Sequence, residues 1–89
     1  MNIVFVLNEV LKMKEGTLFL NTENRIDVKF DDERYETYSG FHCGDCLNIQ
    51  INNTWHPARI EYSHKRKSWY IVYSDGGYIE DIIGMRVHL

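Results

Sequence analysis

A mainly β fold, with its strands preceded by one short helix, follows from three observations. Apolar residues alternate with polar ones from Thr17 onward, tight-turn pairs such as Asn52-Asn53 and Asp75-Gly76-Gly77 separate the alternating runs, and aromatic residues make up 13% of the chain. Such residues suit a pleated, half-buried surface. The 89 residues make one domain, 1–89. A domain of this size buries only about 60–65% of its unfolded surface, so a few large side chains must carry its stability.

The elements follow in order. Over 1–16, Ile3, Val6, Leu7, Val10 and Leu11 recur at three- and four-residue intervals, predicting an amphipathic helix with Gly16 as its left-handed C-cap. The β-branched or aromatic run Ile3 to Val6 also suits a strand. Residues 17–40 predict a hairpin and an acidic loop. Thr17 to Leu20 turn through Asn21–Asn24 into Ile26, Val28 and Phe30, which alternate with Asp27 and Lys29, and Asp31 to Arg34 then lead past Tyr35 and Tyr38 to Gly40.

Residues 41–89 predict a five-stranded unit. Leu47, Ile49 and Ile51 alternate with Asn48 and Gln50, Asn52-Asn53 turns the chain, and Trp55 to Tyr62 returns, with Pro57 at an edge or bulge. Ser68 to Tyr73, a turn at Asp75-Gly76-Gly77, Tyr78-Ile79, one helical turn at Ile82-Ile83-Gly84 and a last strand Met85 to His88 complete it. Trp69, Ile71 and Tyr73 share a face that should hold the core, opposite Tyr70 and Val72. With no repeat or linker, the two halves either share one core or lie side by side.

The net charge of −3 lacks the basic field of a general nucleic-acid binder and favours a protein partner. Charge is nonetheless clustered: Asp27, Asp31, Asp32, Glu33 and Glu36 are acidic, and His64, Lys65, Arg66 and Lys67 are basic. Each run suits a solvated loop, and the acidic one also suits docking to a basic channel. Two cysteines three positions apart cannot staple a secreted scaffold, which points to the cytosol. The apolar run Ile3 to Leu7 is too short for a bilayer and has no basic segment before it, so no membrane or targeting segment is expected.

Gly44-Asp45 before an alternating strand, Trp55, Ala58-Arg59-Ile60, Trp69 to Tyr73, Asp75-Gly76-Gly77 and Ile79 to Ile82 together resemble the Tudor type of five-stranded small barrel, over Gly44 to Val87. In that likeness Trp55, Tyr62, Tyr70, Tyr73 and Tyr78 stand where an aromatic cage would have its walls, although alternation sends at least two of them to the core. From Met13 onward, Lys14 to Leu18 and His42-Cys43-Gly44-Asp45-Cys46 also resemble a family of short proteins from Gram-positive phages and mobile elements. Residues 1–12 lie outside that likeness. It implies a setting and no activity.

Cys43 and Cys46 have the spacing of two thiolates on one tetrahedral metal. With the hairpin centred at Asn52-Asn53, paired residues sum to about 105 or 106, which sets Tyr62 to His64 opposite His42 and Cys43. His64 then falls near the thiols. The Tudor likeness sets the last strand beside the first and offers His88 as the fourth ligand, with His42 as substitute. A structural zinc at Cys43, Cys46, His64 and His88 is one expectation, and two reduced thiols at the start of a strand is the other. Redox chemistry is disfavoured because the motif opens a strand rather than a helix, and a barrel this small offers little cleft for catalysis.

The expected function is therefore non-enzymatic binding. The first reading is a mobile-element protein of the anti-CRISPR type that blocks nucleic-acid loading of a type II effector nuclease. Asp27, Asp31, Asp32, Glu33 and Glu36 would supply attraction, and Tyr35, Tyr38 and Phe41 the anchors. The alternative is a Tudor-like adaptor binding a peptide or nucleic acid, with Lys65, Arg66 and Lys67 contacting phosphate.

Overall fold

The computed structural model describes residues 14–89. Seven strands run β1 (Glu15–Leu20), β2 (Ile26–Phe30), β3 (Cys46–Ile51), β4 (Thr54–Ser63), β5 (Ser68–Tyr73), β6 (Tyr78–Ile79) and β7 (Arg86–His88). They form one antiparallel sheet in the order β2-β1-β7-β3-β4-β5-β6. The mainly β expectation holds. Within the order, β3 to β7 keep the last strand beside the first, with Ile49 opposite Val87 and Asn48 opposite His88. The 17–40 hairpin does not sit apart, because β1 pairs with the other side of β7, Gly16 opposite Val87. Both halves share one sheet. Among the described residues no helix is long and apolar enough to cross a membrane.

The expected N-terminal helix lies outside the described residues except for its last positions, and there the structure corrects it. Gly16 is not a C-cap but a buried residue of β1, and Lys14 takes the left-handed conformation with φ 69°. The glycine is needed for close approach: a Cβ there would lie 2.7 Å from Val28 Cγ2 and closer still to the Lys29 carbonyl oxygen. A second correction concerns Ile82-Ile83-Gly84, which is a hydrogen-bonded turn, Met85 N–H donating to the Ile82 carbonyl at 3.2 Å, rather than a helical one. The 3-10 turn lies instead at Ser74–Gly76, between β5 and β6.

The β3–β4 turn follows its sequence. Asn52 and Asn53 have φ of 50° and 63°, the two left-handed residues that a two-residue hairpin matched to strand twist requires. The register, Ile51 opposite Thr54 through Cys46 opposite Arg59, has the expected sum. Pro57 sits inside β4, one residue before β5 joins at Ala58 opposite Tyr73, so its missing N–H costs no bond on that side.

The core fills the inside of the curled sheet. Leu18, Ile26, Val28, Leu47, Ile49, Ile60, Ile71 and Val87 come from strands, and Phe41 and Ile82 from connections. The segment 41–45 straps the curl: Phe41 N–H donates to the Ile26 carbonyl at 2.7 Å, Gly44 N–H to the Ile60 carbonyl at 2.8 Å, and Ile60 N–H to the Asp45 carbonyl at 2.9 Å. Trp69 closes the other end, its Nε1–H donating to the Asn24 carbonyl at 2.8 Å.

Because the methyl group would strike neighbouring backbone, Gly16→Ala should lower the unfolding free energy by about 1–3 kcal/mol, seen as an earlier urea midpoint with an unchanged slope.

Candidate binding groove

Two depressions meet at Trp69. The first, about 440 Å³ and open to solvent, is lined by Glu23, Asn24, Arg25, His42, Cys43, Tyr62, His64 and Trp69. The second, about 190 Å³, has an apolar lining from Leu20, Ile26, Ile82 and Ile83, with Lys67, Glu80 and Asp81 on its rim. Asn24 and Trp69 belong to both, so the indole forms a ridge between a polar and an apolar chamber. Leu20 and Ile83, 49% and 53% exposed, both line this apolar chamber.

Each wall has a local cause. Asn21 fixes the β1–β2 turn: its Oδ1 accepts from the N–H of Glu23 at 2.9 Å and of Arg25 at 3.1 Å, and its own N–H donates to the Arg25 carbonyl at 2.9 Å. This Asn-centred turn aims residues 23–25 across at β5. Opposite, β4 and β5 pair Tyr62 with Trp69, whose rings meet edge to face at 4.9 Å. His64 adds a third ring, 5.1 Å from Tyr62. His42 and Cys43 come from the strap, where Gly44 at φ 89° permits a turn closed by Asp45 N–H on the His42 carbonyl. The Asp45 carboxylate accepts the His42 N–H at 2.7 Å and lies 3.7 Å from Nδ1.

Arg25 stands apart electrostatically. Among the described residues Arg34 pairs with Asp32, Arg59 with Glu61, Arg66 with Glu80, and Arg86 with Asp31 and Glu15. Arg25 has no carboxylate within ion-pair distance; its Nη1 donates to the Phe41 carbonyl at 3.2 Å and its stem lies against Gly40. Four arginines are neutralised in place, and the fifth faces the polar chamber.

The expected zinc ligands are divided. His42, Cys43 and His64 line the polar chamber, as the hairpin register predicts, whereas Cys46 lines a separate depression with Pro57, Arg59 and Val72. His88 packs edge to face on Trp55 at 4.5 Å. Both cysteines are free and exposed, and no group of three or more His, Cys, Asp or Glu among the described residues is placed to hold a metal ion.

Of the five expected cage aromatics, the ring contacts bring only Tyr70 and Tyr78 to each other. Trp55 meets His88, Tyr70 meets Tyr78, Tyr73 meets His56, and Tyr62 meets Trp69. Trp69 is half-buried: it packs against the core, as its alternation predicts, yet also lines both chambers.

The acidic docking surface needs two corrections. Phe41 is fully buried, with Tyr38 stacked over it at 4.4 Å, so it is a core residue rather than an exposed anchor. Asp27 is 2% exposed; its carboxylate accepts from Val28 N–H at 2.8 Å and from Asn21 Nδ2 at 3.3 Å. Of the remainder, Asp31 and Asp32 are held in ion pairs, Glu33, Glu36 and Tyr38 are exposed, and Tyr35 is half-buried against Phe30. Hydrogen bonds from the Arg34 side chain and backbone draw the Asp32 carboxyl down from its ordinary 3.8 to about 2, and the hydrogen bond from Arg86 lowers Asp31.

Leu20, Glu23, Arg25 and Ile83 were invisible as site residues in the sequence. Nothing local marks them, since the groove exists only where residues 20–26 meet 62–69 and 80–83.

Fold and groove together define a small domain built on one seven-stranded antiparallel sheet with a two-chambered surface groove. The chain belongs to the family described as a domain of unknown function, DUF5348, whose model matches residues 16–89. It is similar to a protein from Ruminococcus gnavus known from a crystal structure, at 39% identity and a TM-score of 0.67, covering 85% of this chain and all of that one. No functionally curated protein matches it.

Two outcomes follow. Asp27→Ala leaves the Val28 N–H without its acceptor in a buried place and should cost about 1–3 kcal/mol in urea unfolding. In Arg34→Gln the Asp32 carboxyl should titrate above 2 but stay below 3.8, because the backbone N–H of residue 34 still donates to it, followed by carboxyl NMR shifts. Since a lowered folded-state pKa contributes stability that is present above the ordinary value and lost as pH falls through the lowered one, any effect of Arg34→Gln on stability should shrink between about pH 4 and 2.

Proposed function

We propose that this protein is a non-catalytic binding module whose partner lies along the groove over Trp69. The observation that carries the reading is the exposure of Leu20 and Ile83 beside a ridge of Trp69 and Tyr62, because aromatic and aliphatic side chains at the centre of a concave surface are those that anchor partners. The groove walls are held by backbone hydrogen bonds, so little conformational entropy is lost on binding. This is the adaptor reading of the chain, with the site moved from Lys65, Arg66 and Lys67 to the groove.

The inhibitor reading, in which a mobile-element protein blocks a CRISPR effector nuclease, draws on small size, net acidity and the family likeness as well as on the acidic stretch. With Asp27 and Phe41 inside and Asp31 and Asp32 paired, the docking surface of that stretch is narrowed to Glu33, Glu36 and Tyr38. The two surfaces can be separated experimentally. Affinity capture from a bacterial lysate should recover a partner with the wild-type protein and with the Glu33→Gln, Glu36→Gln double variant, and lose it with Ile83→Glu, a change at an exposed position that leaves the core alone. The reverse pattern would transfer the site to the acidic loop and revive nuclease inhibition, to be checked by a cleavage assay with the protein added before and after guide loading.

A further inference from the structure

We infer that the groove recognises an extended peptide segment in which an aliphatic side chain is followed by a carboxylate, the former entering the apolar chamber and the latter meeting Arg25. The inference rests on the reading of the groove as a binding surface and adds the chemistry of the occupant. Its basis is charge complementarity: Arg25 is the one arginine among the described residues without a carboxylate partner, and it lines the polar chamber with His42 and His64. A guanidinium in that position offers a planar fork to a carboxylate, and part of its donor set is already oriented by the bond to the Phe41 carbonyl.

The second chamber sets the other half of the ligand. Its walls are Leu20, Ile26, Ile82 and Ile83, and about 190 Å³ accommodates a single aliphatic side chain. Between the chambers the Trp69 ridge offers a flat apolar surface for the backbone of a segment that crosses it. The bond from Nε1 to the Asn24 carbonyl favours the indole's place on the ridge over a swing into either chamber.

A nucleic-acid strand fits these facts less well. A phosphate backbone crossing both chambers would meet Arg25 and Lys67 but also Glu23 and Asp81, with Glu80 already paired to Arg66, so it would find no continuous basic track. The net charge of −3 adds long-range repulsion. A discrete carboxylate on a peptide meets Arg25 without bringing further negative charge along the groove.

The test uses the full chain in a Trp55→Phe background, so that Trp69 alone reports. Short Gly/Ser-based peptides carrying one Leu followed by Asp, by Asn or by Lys are titrated against Trp69 fluorescence, beside an oligothymidine of similar length. The expected result is binding of the Leu–Asp peptide about tenfold tighter than its Leu–Asn counterpart, weakest binding for Leu–Lys, and loss of the Asp preference in Arg25→Gln. Changing the ligand rather than the protein keeps the comparison valid even if Arg25→Gln weakens the fold. Equal affinity for the Asp and Asn peptides would overturn the carboxylate inference while leaving the groove as the binding surface. Binding of oligothymidine in preference to every peptide would overturn it too, with nucleic acid taking the site. Silence toward all four probes would likewise overturn it, and the Ile83→Glu capture experiment would then decide separately whether the groove binds anything.

Discussion

The burial of Phe41 is the constraint on which the rest of this structure depends. The ring is fully buried in the core, while its backbone is tied to the β1–β2 hairpin twice, N–H to the Ile26 carbonyl and carbonyl to the Arg25 side chain. With Gly44 and Asp45 bonded to Ile60 a few residues on, the segment that begins at Phe41 links the hairpin to β4, and Phe41 at the same time orients the one arginine that faces the groove. Stability and site share a residue, which is economical in a small domain where few side chains can be spared for either purpose alone.

The charged residues divide by role. Arg86 binds Asp31 and Glu15 and so ties the last strand to both ends of the hairpin, and Arg34 folds back onto Asp32 within its own loop. These are exposed pairs of small energetic weight, but they set where the acidic loop lies and lower its outward negative charge. Counting acids along the chain overstates the field that a partner would meet.

The strands were legible because alternation and turn chemistry act locally: Asn52-Asn53 dictates the register that follows it, and Ile49, Ile60 and Ile71 lie at the buried positions their alternation requires. The register likewise brought His64 toward His42 and Cys43. Legibility ended where a side chain's environment is made by distant chain. Asp27 occupies a polar position of an alternating strand, yet the neighbouring loop covers it and its carboxylate replaces a missing partner strand. Phe41 follows a glycine in an apparent loop, and only the strap shows that this loop crosses the core. Cys43 and Cys46 share a motif but part company because the strap ends between them and β3 begins, sending the second thiol to the opposite face.

The position of β7 has a consequence for how the chain acquires this shape. Glu15, Gly16 and Thr17 find their partners in His88, Val87 and Arg86, so the first strand of the sheet is completed by the last to be synthesised. Such non-local pairing slows folding, because loop-closure entropy is lost before the contacts that compensate for it form. During translation the hairpin must wait as a two-stranded ribbon with open margins, the state most exposed to wrong pairing. Asp27 matters at one of those margins. By turning its carboxylate onto the outward Val28 N–H, it occupies one of the donors that another chain would otherwise use along β2, which stays at the sheet edge even after residues 86–88 have paired with β1.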